Sequence, residues 1–272
     1  MLSDITIGQF FPGNSPLHRM DPRVKLVVIF AYIVLIFVPQ NWAGLGVCVA
    51  YLLAGLLISG LPARLLLRSI KPIVPLIVLT TVLNVFYISG GETLVKWNFI
   101  HITTGGVNNA IFIAVRIVAL IMGSSLLTYT TSPTTLTDAL ERLMSPLKVL
   151  RINVHEISMM MTIALRFIPT LIEETDKIMA AQKARGADLE SGGLVQRVKA
   201  LVPVLIPLFV SAFRRACDLA TAMECRCYHG GDGRTRMKQM KMRRSDGVFL
   251  ASTVLLCAVV ILLNILLASS LA

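Results

Sequence analysis

From Leu26 to Ala63 the chain runs for 38 residues without a formal charge. A water-facing helix or strand needs a polar face, so such a run does not belong to an ordinary soluble domain. Roughly 20 mostly apolar residues cross a bilayer as a helix, and 38 are enough for two crossings. Pro39, Gln40 and Asn41 break the run and predict a tight hairpin. Its first helix is short, from about Lys25 to Pro39, and its second runs from about Trp42 to Gly60. Three more spans are expected, at about Ile73 to Ser89, Val107 to Thr128 and Val248 to Leu271. The fourth carries Arg116 in its middle, and the last has no charge at all. Only 15% of the 272 residues are charged and the mean hydropathy is +0.74, which excludes a disordered chain. The fold class is all-α: a polytopic membrane protein with about five transmembrane helices. Asp4 and Gln9 interrupt the start, so no signal peptide is expected. The five cysteines (Cys48, Cys217, Cys225, Cys227, Cys257) are odd in number and show no disulfide framework.

The basic residues set the orientation. Of the 26 Lys and Arg, 24 lie before the first span, between the second and third, or within residues 131–247. Only Lys96 falls on the other side, and Arg116 is inside a span. By the positive-inside rule the N-terminus is cytoplasmic and the C-terminus outside. Three regions follow: four spans in residues 1–130, a cytoplasmic domain in 131–247, and the last span in 248–272. Two apolar stretches inside the middle region, His155 to Ile172 and Ala200 to Phe213, test this count. If both crossed, Lys177, Lys183, Arg185, Arg197 and Lys199 would sit outside. They are therefore expected to be buried helices of a membrane-adjacent domain.

Within that domain Ser132 and Pro133 open a helix that reaches about Met144. Apolar residues from Ile157 to Ile172 recur at three- and four-residue steps, predicting an amphipathic helix. It extends to Ala184, bends at Pro169, and stops at Gly186. A second long helix runs from about Leu194 to Cys227. Each ends on an arginine between small residues, Ala184-Arg185-Gly186 in the first and Cys225-Arg226-Cys227 in the second. A guanidinium so placed can cap its own helix, since a C-terminus favours cations. It can also enter a partner's groove and make bidentate bonds to a carboxylate.

These stretches are similar to the T component of energy-coupling factor (ECF) transporters, which implies a multi-pass protein of a bacterial cell membrane. The resemblance rests on Ser15-Pro16-Leu17-His18-Arg19-Met20-Asp21-Pro22-Arg23-Val24-Lys25 and on Leu165-Arg166-Phe167-Ile168-Pro169-Thr170-Leu171. It continues through Ala181-Gln182-Lys183-Ala184-Arg185-Gly186, Ala222-Met223-Glu224-Cys225-Arg226-Cys227-Tyr228 and Gly233-Arg234-Thr235-Arg236. The family's second motif is usually Ala-Arg-Gly and is Cys-Arg-Cys here. The resemblance implies two ABC-type ATPase subunits, one receiving Arg185 and the other Arg226. It also implies a membrane-embedded S component that binds a vitamin or other micronutrient. This chain would couple the two without catalysis or a cofactor of its own.

Other signals are plainer. No Gly-x-x-x-x-Gly-Lys-Ser/Thr occurs, so a standard P-loop is absent. Cys225, Cys227 and His229 lack the second ligand pair of common zinc sites and are read as free of metal. Arg116 must face protein or water, and either a neighbouring helix or the S component would serve. The basic run from Arg234 to Arg244 meets anionic lipid headgroups rather than nucleic acid. A self-sufficient secondary carrier or a polytopic membrane enzyme is the alternative; neither internal repeats nor a polar cluster at the membrane face supports it.

Overall fold

The computed structural model describes residues 10–87, 93–97, 100–150, 153–187, 193–230, 240 and 242–269. Ten helices lie among them. In chain order they are α1 (Pro16–Arg19), α2 (Pro22–Leu35), α3 (Trp42–Ser59), α4 (Ala63–Ile70) and α5 (Val74–Tyr87), followed by α6 (Thr104–Thr130), α7 (Pro133–Leu143), α8 (Val154–Ala184), α9 (Leu194–Cys225) and α10 (Arg244–Ser269). A short antiparallel hairpin of β1 (Thr93–Trp97) and β2 (Ile100–Thr103) joins α5 to α6. The chain divides into two compact units. One holds the described residues between Pro133 and Gln239; the other holds those from Gln9 to Ser132 and from Met240 onward.

The larger unit is a helical bundle built from the motif at the start of the chain. Ser15 caps the single turn of α1, and the His18 ring is held between Ser15 Oγ at 2.7 Å and the Phe11 carbonyl at 3.0 Å. Partial burial lowers the His18 pKa below its ordinary value. Leu17 and Met20 are buried. Asp21 then caps α2 by accepting the Arg23 N–H at 2.9 Å, and it pairs with the Arg23 guanidinium at 2.7 Å. One turn on, Lys25 is almost fully buried and donates to the Thr130 carbonyl (3.1 Å) and to Thr131 Oγ1 (3.0 Å). Those acceptors lie at the C-terminal end of α6, where carbonyls lack helical partners.

Tyr32, Leu45, Cys48, Leu52, Ala119, Leu126 and Val260 form the core among α2, α3, α6 and α10. Gly123 of α6 lets Tyr32 lie flat against the helix, because a Cβ there would meet the ring at 2.8 Å. A cavity of about 350 Å³, lined by Val28, Tyr32, Leu52, Gly123 and Phe249 among others, lies in the same bundle. The turn after α2 is tied from two sides. Arg116 Nη2 donates to the Pro39 carbonyl at 2.6 Å, its guanidinium over the Phe112 ring, and Asn264 Nδ2 donates to the Val38 carbonyl at 2.7 Å. Arg116 thus bonds within this chain, and its partner is the turn between α2 and α3.

Five helical stretches among the described residues are long and apolar enough to cross a membrane: Trp42–Ser59, Ala63–Phe86, Thr104–Thr130, Val198–Cys225 and Arg244–Leu266. Four coincide with expected spans, three of them starting earlier, the last at Arg244 instead of Val248. The span expected from Ile73 includes α4, joined to α5 by a 3₁₀ turn, and the span expected from Val107 begins at Thr104. Residues 88–89 and 270–271 of the expected spans lie outside the described residues. The first expected span is shorter than read: α2 has 14 residues and ends at Leu35. Fourteen residues make about 21 Å of helix against a hydrocarbon core of about 30 Å.

The smaller unit holds α7, α8 and α9. The expectation that Ala200 to Phe213 is buried does not hold. Leu205, Ile206, Phe209 and Phe213 are each more than half exposed, and Val204 alone in that stretch is fully buried. The reason is geometric. The stretch is apolar around its whole circumference, and within its unit α8 is the long helix that packs on it, covering one side. The His155 to Ile172 stretch of α8 is half-buried for the most part, with Ser158 fully so and Val154 buried just before it.

Candidate functional site: two matched helix ends

α8 and α9 run 31 and 32 residues, about 46 and 48 Å. Proline at 169, 203 and 207 does not end either helix, although each removes one backbone donor. The two helices are antiparallel. Gln182 meets Pro203, Glu174 meets Ser211 and Arg215, and Met159 and Ile163 line one groove with Leu219 and Met223.

The expected stops are found, and both are built in the same way. In α8 the Gly186 N–H donates to the Lys183 carbonyl (3.0 Å) and the Ala187 N–H to the Gln182 carbonyl (3.0 Å). In α9 the Cys227 N–H donates to the Glu224 carbonyl (2.8 Å) and the Tyr228 N–H to the Met223 carbonyl (3.1 Å). Each is a Schellman motif with a left-handed residue one place past the cap. That residue is Gly186 at φ +86° in the first and Cys227 at φ +55° in the second. Cys227 is the one non-glycine residue of positive φ among the described residues. The change from glycine to cysteine in the second motif therefore keeps the helix stop, at the cost of a strained residue.

Arg185 and Arg226 occupy the cap position itself in both. Both are exposed, as are Ala184, Gly186, Cys225 and Cys227. Among the described residues neither guanidinium makes a hydrogen bond or ion pair; the orphan carbonyls are closed by backbone N–H groups instead. The plain reading of the arginines as side-chain caps of their own helices is thus not what the geometry shows. The antiparallel register puts Arg226 near Met159, so the stretch from Met159 to Arg185 separates the two arginines by about 40 Å at 1.5 Å per residue.

The ends differ in their surroundings. Arg226 borders a groove of about 460 Å³ lined by Met159, Ile163, Leu219, Met223, Tyr228 and His229. Among the described residues no group of three or more His, Cys, Asp or Glu stands close enough to hold a metal ion. The sequence reading missed the polar contacts between α8 and α9. A signal existed: Pro207 lies four residues after Pro203 and leaves that carbonyl without its helical donor.

A sequence model of the cobalt transport protein family CbiQ matches residues 13–238. The energy-coupling factor transporter transmembrane protein EcfT of Clostridium kluyveri is 52% identical over 262 residues, covering 96% of this chain and 95% of its own. The chain belongs to this family, the transmembrane T components of ECF transporters. The EcfT protein of Ruminiclostridium cellulolyticum is 49% identical over 264 residues, covering 97% of this chain and 98% of its own. That of Bacillus subtilis is 42% identical over 264 residues, covering 97% of this chain and the whole of its own. As a T component the chain is a multi-pass protein of the cell membrane and a subunit of a transporter.

Proposed function

We propose that this T component couples ATP-driven closure of two cytoplasmic ABC-type ATPase subunits to the reorientation of a membrane-embedded S component. The S component binds the vitamin or other micronutrient, and this chain transmits force without catalysis. Arg185 enters one ATPase and Arg226 the other. What carries this reading is the pair of matched helix ends. Two exposed guanidiniums without partners among the described residues, about 40 Å apart on one helix pair, suit two separate recipients and not one.

The exposed apolar stretch of α9 supports the second partnership. Leu205, Ile206, Phe209, Val210 and Phe213 offer a surface that water does not favour and an S component would cover. Residues 131–247 stay on the cytoplasmic side in this reading, α9 included. A crossing α9 would put Lys199 and the pair Arg214 and Arg215 on opposite sides of the bilayer, against the positive-inside distribution. The short α2 then makes the first crossing, with a cytoplasmic N-terminus and an external C-terminus. The basic residues before α10 meet anionic lipid headgroups.

The test is uptake together with ATPase co-purification for Arg185→Ala, Arg226→Ala and the double change. The double change is expected to release the ATPases and abolish uptake while the chain still inserts. Wild-type uptake by the double mutant would end this reading.

A further inference from the structure

Near Arg226 the groove between α8 and α9 is lined by Met159, Ile163, Leu219 and Met223, and apolar contact of this kind has little directional preference. Two polar contacts are different. Glu174 of α8 accepts the Ser211 hydroxyl with Oε1, and its Oε2 receives Arg215 Nη2 at 2.5 Å, both from α9. The carboxylate is about one-fifth exposed, so water screens the pair only in part. Eight residues further along α8, Gln182 Nε2 donates to the Pro203 carbonyl at 3.3 Å. That carbonyl is free to accept because residue 207, which would bond it in an unbroken helix, is proline.

Gln182 has a second role. Its backbone carbonyl accepts the N–H groups of Arg185 and Ala187, so it also forms the cap that presents Arg185. One residue thus holds the Arg185 end of α8 and a gap in the backbone ladder of α9. That point lies within the exposed apolar surface of α9, between Val202 and Leu205.

We propose that Glu174, Ser211, Arg215 and Gln182 form a polar seam that locks α8 to α9, so that Arg185 and the apolar stretch of α9 move as one body. This rests on the reading that Arg185 engages an ATPase. Without the seam, ATPase closure would drag α8 along the apolar face of α9 and the motion would be lost as slippage. Gln182 and Glu174 are positioning residues that act through Arg185 and touch neither nucleotide nor substrate.

The experiment uses the whole transporter in liposomes, with Glu174→Arg, Arg215→Glu and the double reversal, and reads substrate uptake per ATP hydrolysed. Each single reversal is expected to lower that ratio by at least about fivefold with both ATPases still bound, and the double to recover to within about twofold. Gln182→Ala should lower it by about two- to threefold. Wild-type coupling in the single reversals, or a double no better than the worse single, overturns the seam. If a reversal does not accumulate in the membrane, the near-isosteric Glu174→Gln replaces it, with a drop of about twofold or more expected and wild-type coupling counting against the proposal.

A readout independent of the ATPases separates this proposal from the reading beneath it. Nitroxide labels at the exposed positions Ala181 and Ala222 of the isolated chain should give a narrow distance distribution. Glu174→Arg should broaden it and the double reversal should narrow it again. That pattern together with unaffected ATPase binding in the Arg185→Ala, Arg226→Ala variant would keep the seam and remove the docking reading. A distribution unchanged by Glu174→Arg would remove the seam alone.

Discussion

The ends of α8 and α9 solve one problem with two residues. Both stop on a Schellman motif, both carry an arginine at the cap, and both leave its guanidinium exposed. One places glycine in the left-handed position and the other cysteine. The difference shows that the hydrogen-bond pattern, and not the glycine, defines the helix end. Glycine only makes it cheaper, since a side chain at positive φ costs about 1–2 kcal/mol. The surroundings differ too, with a groove beside Arg226.

The sharpest way to break this pairing is topological. If both arginines meet cytoplasmic ATPases, both ends face the cytoplasm. Single cysteines at Ala181 and Ala222, in a background without native cysteines, should resist a membrane-impermeant thiol reagent in intact cells and react fully in inverted vesicles. Labelling of either position from outside would split the two ends and overturn the proposed topology.

The next effect is on ATPase affinity. Each Arg→Ala change removes a charge-assisted contact of roughly 1.5–3 kcal/mol, so each should weaken ATPase binding by about 10- to 100-fold. Arg→Lys should restore only part of it, because an ammonium cannot reproduce a planar fork. Titration of purified ATPases against the variant chains measures both. Equal affinity for the Lys and Arg forms would show that charge alone is read.

A smaller effect tests the helix stops. Cys227→Gly should stabilise the chain by about 0.4–1 kcal/mol, whereas Gly186→Ala should destabilise it by about 1 kcal/mol, because a side chain suits positive φ poorly. Thermal unfolding in detergent reads the two in opposite directions. Shifts of the same sign would mean that the ends are not equivalent after all.

The smallest effect belongs to the thiols. Cys225→Ala with Cys227→Gly restores the usual small-Arg-small pattern, and uptake should stay within about threefold of wild type, below the loss of one neutral hydrogen bond. Metal analysis of the purified wild-type chain should find no stoichiometric zinc. Loss of uptake together with loss of bound zinc would make Cys225, Cys227 and His229 a metal site.

Periodicity and punctuation made much of this legible. Gly186 stops α8 and Pro133 starts α7 as expected, and α3 ends beside Gly60, whereas α2 starts at Pro22, three residues before the expected Lys25. Hydropathy located four of the long apolar helices but had no way to say what covers α9. Burial depends on neighbours, and the apolar stretch near Phe209 looks the same in sequence whether lipid, a partner or its own chain lies against it. Arg116 was legible as a costly residue and illegible as a tie to Pro39, because that bond joins residues 77 apart. Glu174, Ser211 and Arg215 were hidden for the same reason: nothing local marks a carboxylate that pairs across two helices.

Those long-range ties set an order of assembly for the first helical hairpin. Lys25 finds its carbonyl acceptor 105 residues later in the chain, and the turn at Gln40 waits for Asn264, 224 residues on. At a synthesis rate of about 5–20 residues per second, these partners emerge roughly 5–20 s and 11–45 s after their counterparts. During the first interval the Lys25 ammonium has neither Thr130 nor Thr131, and water or lipid headgroups must hold it at the membrane surface. The hairpin that begins the bundle is therefore locked late, and it is closed by α10.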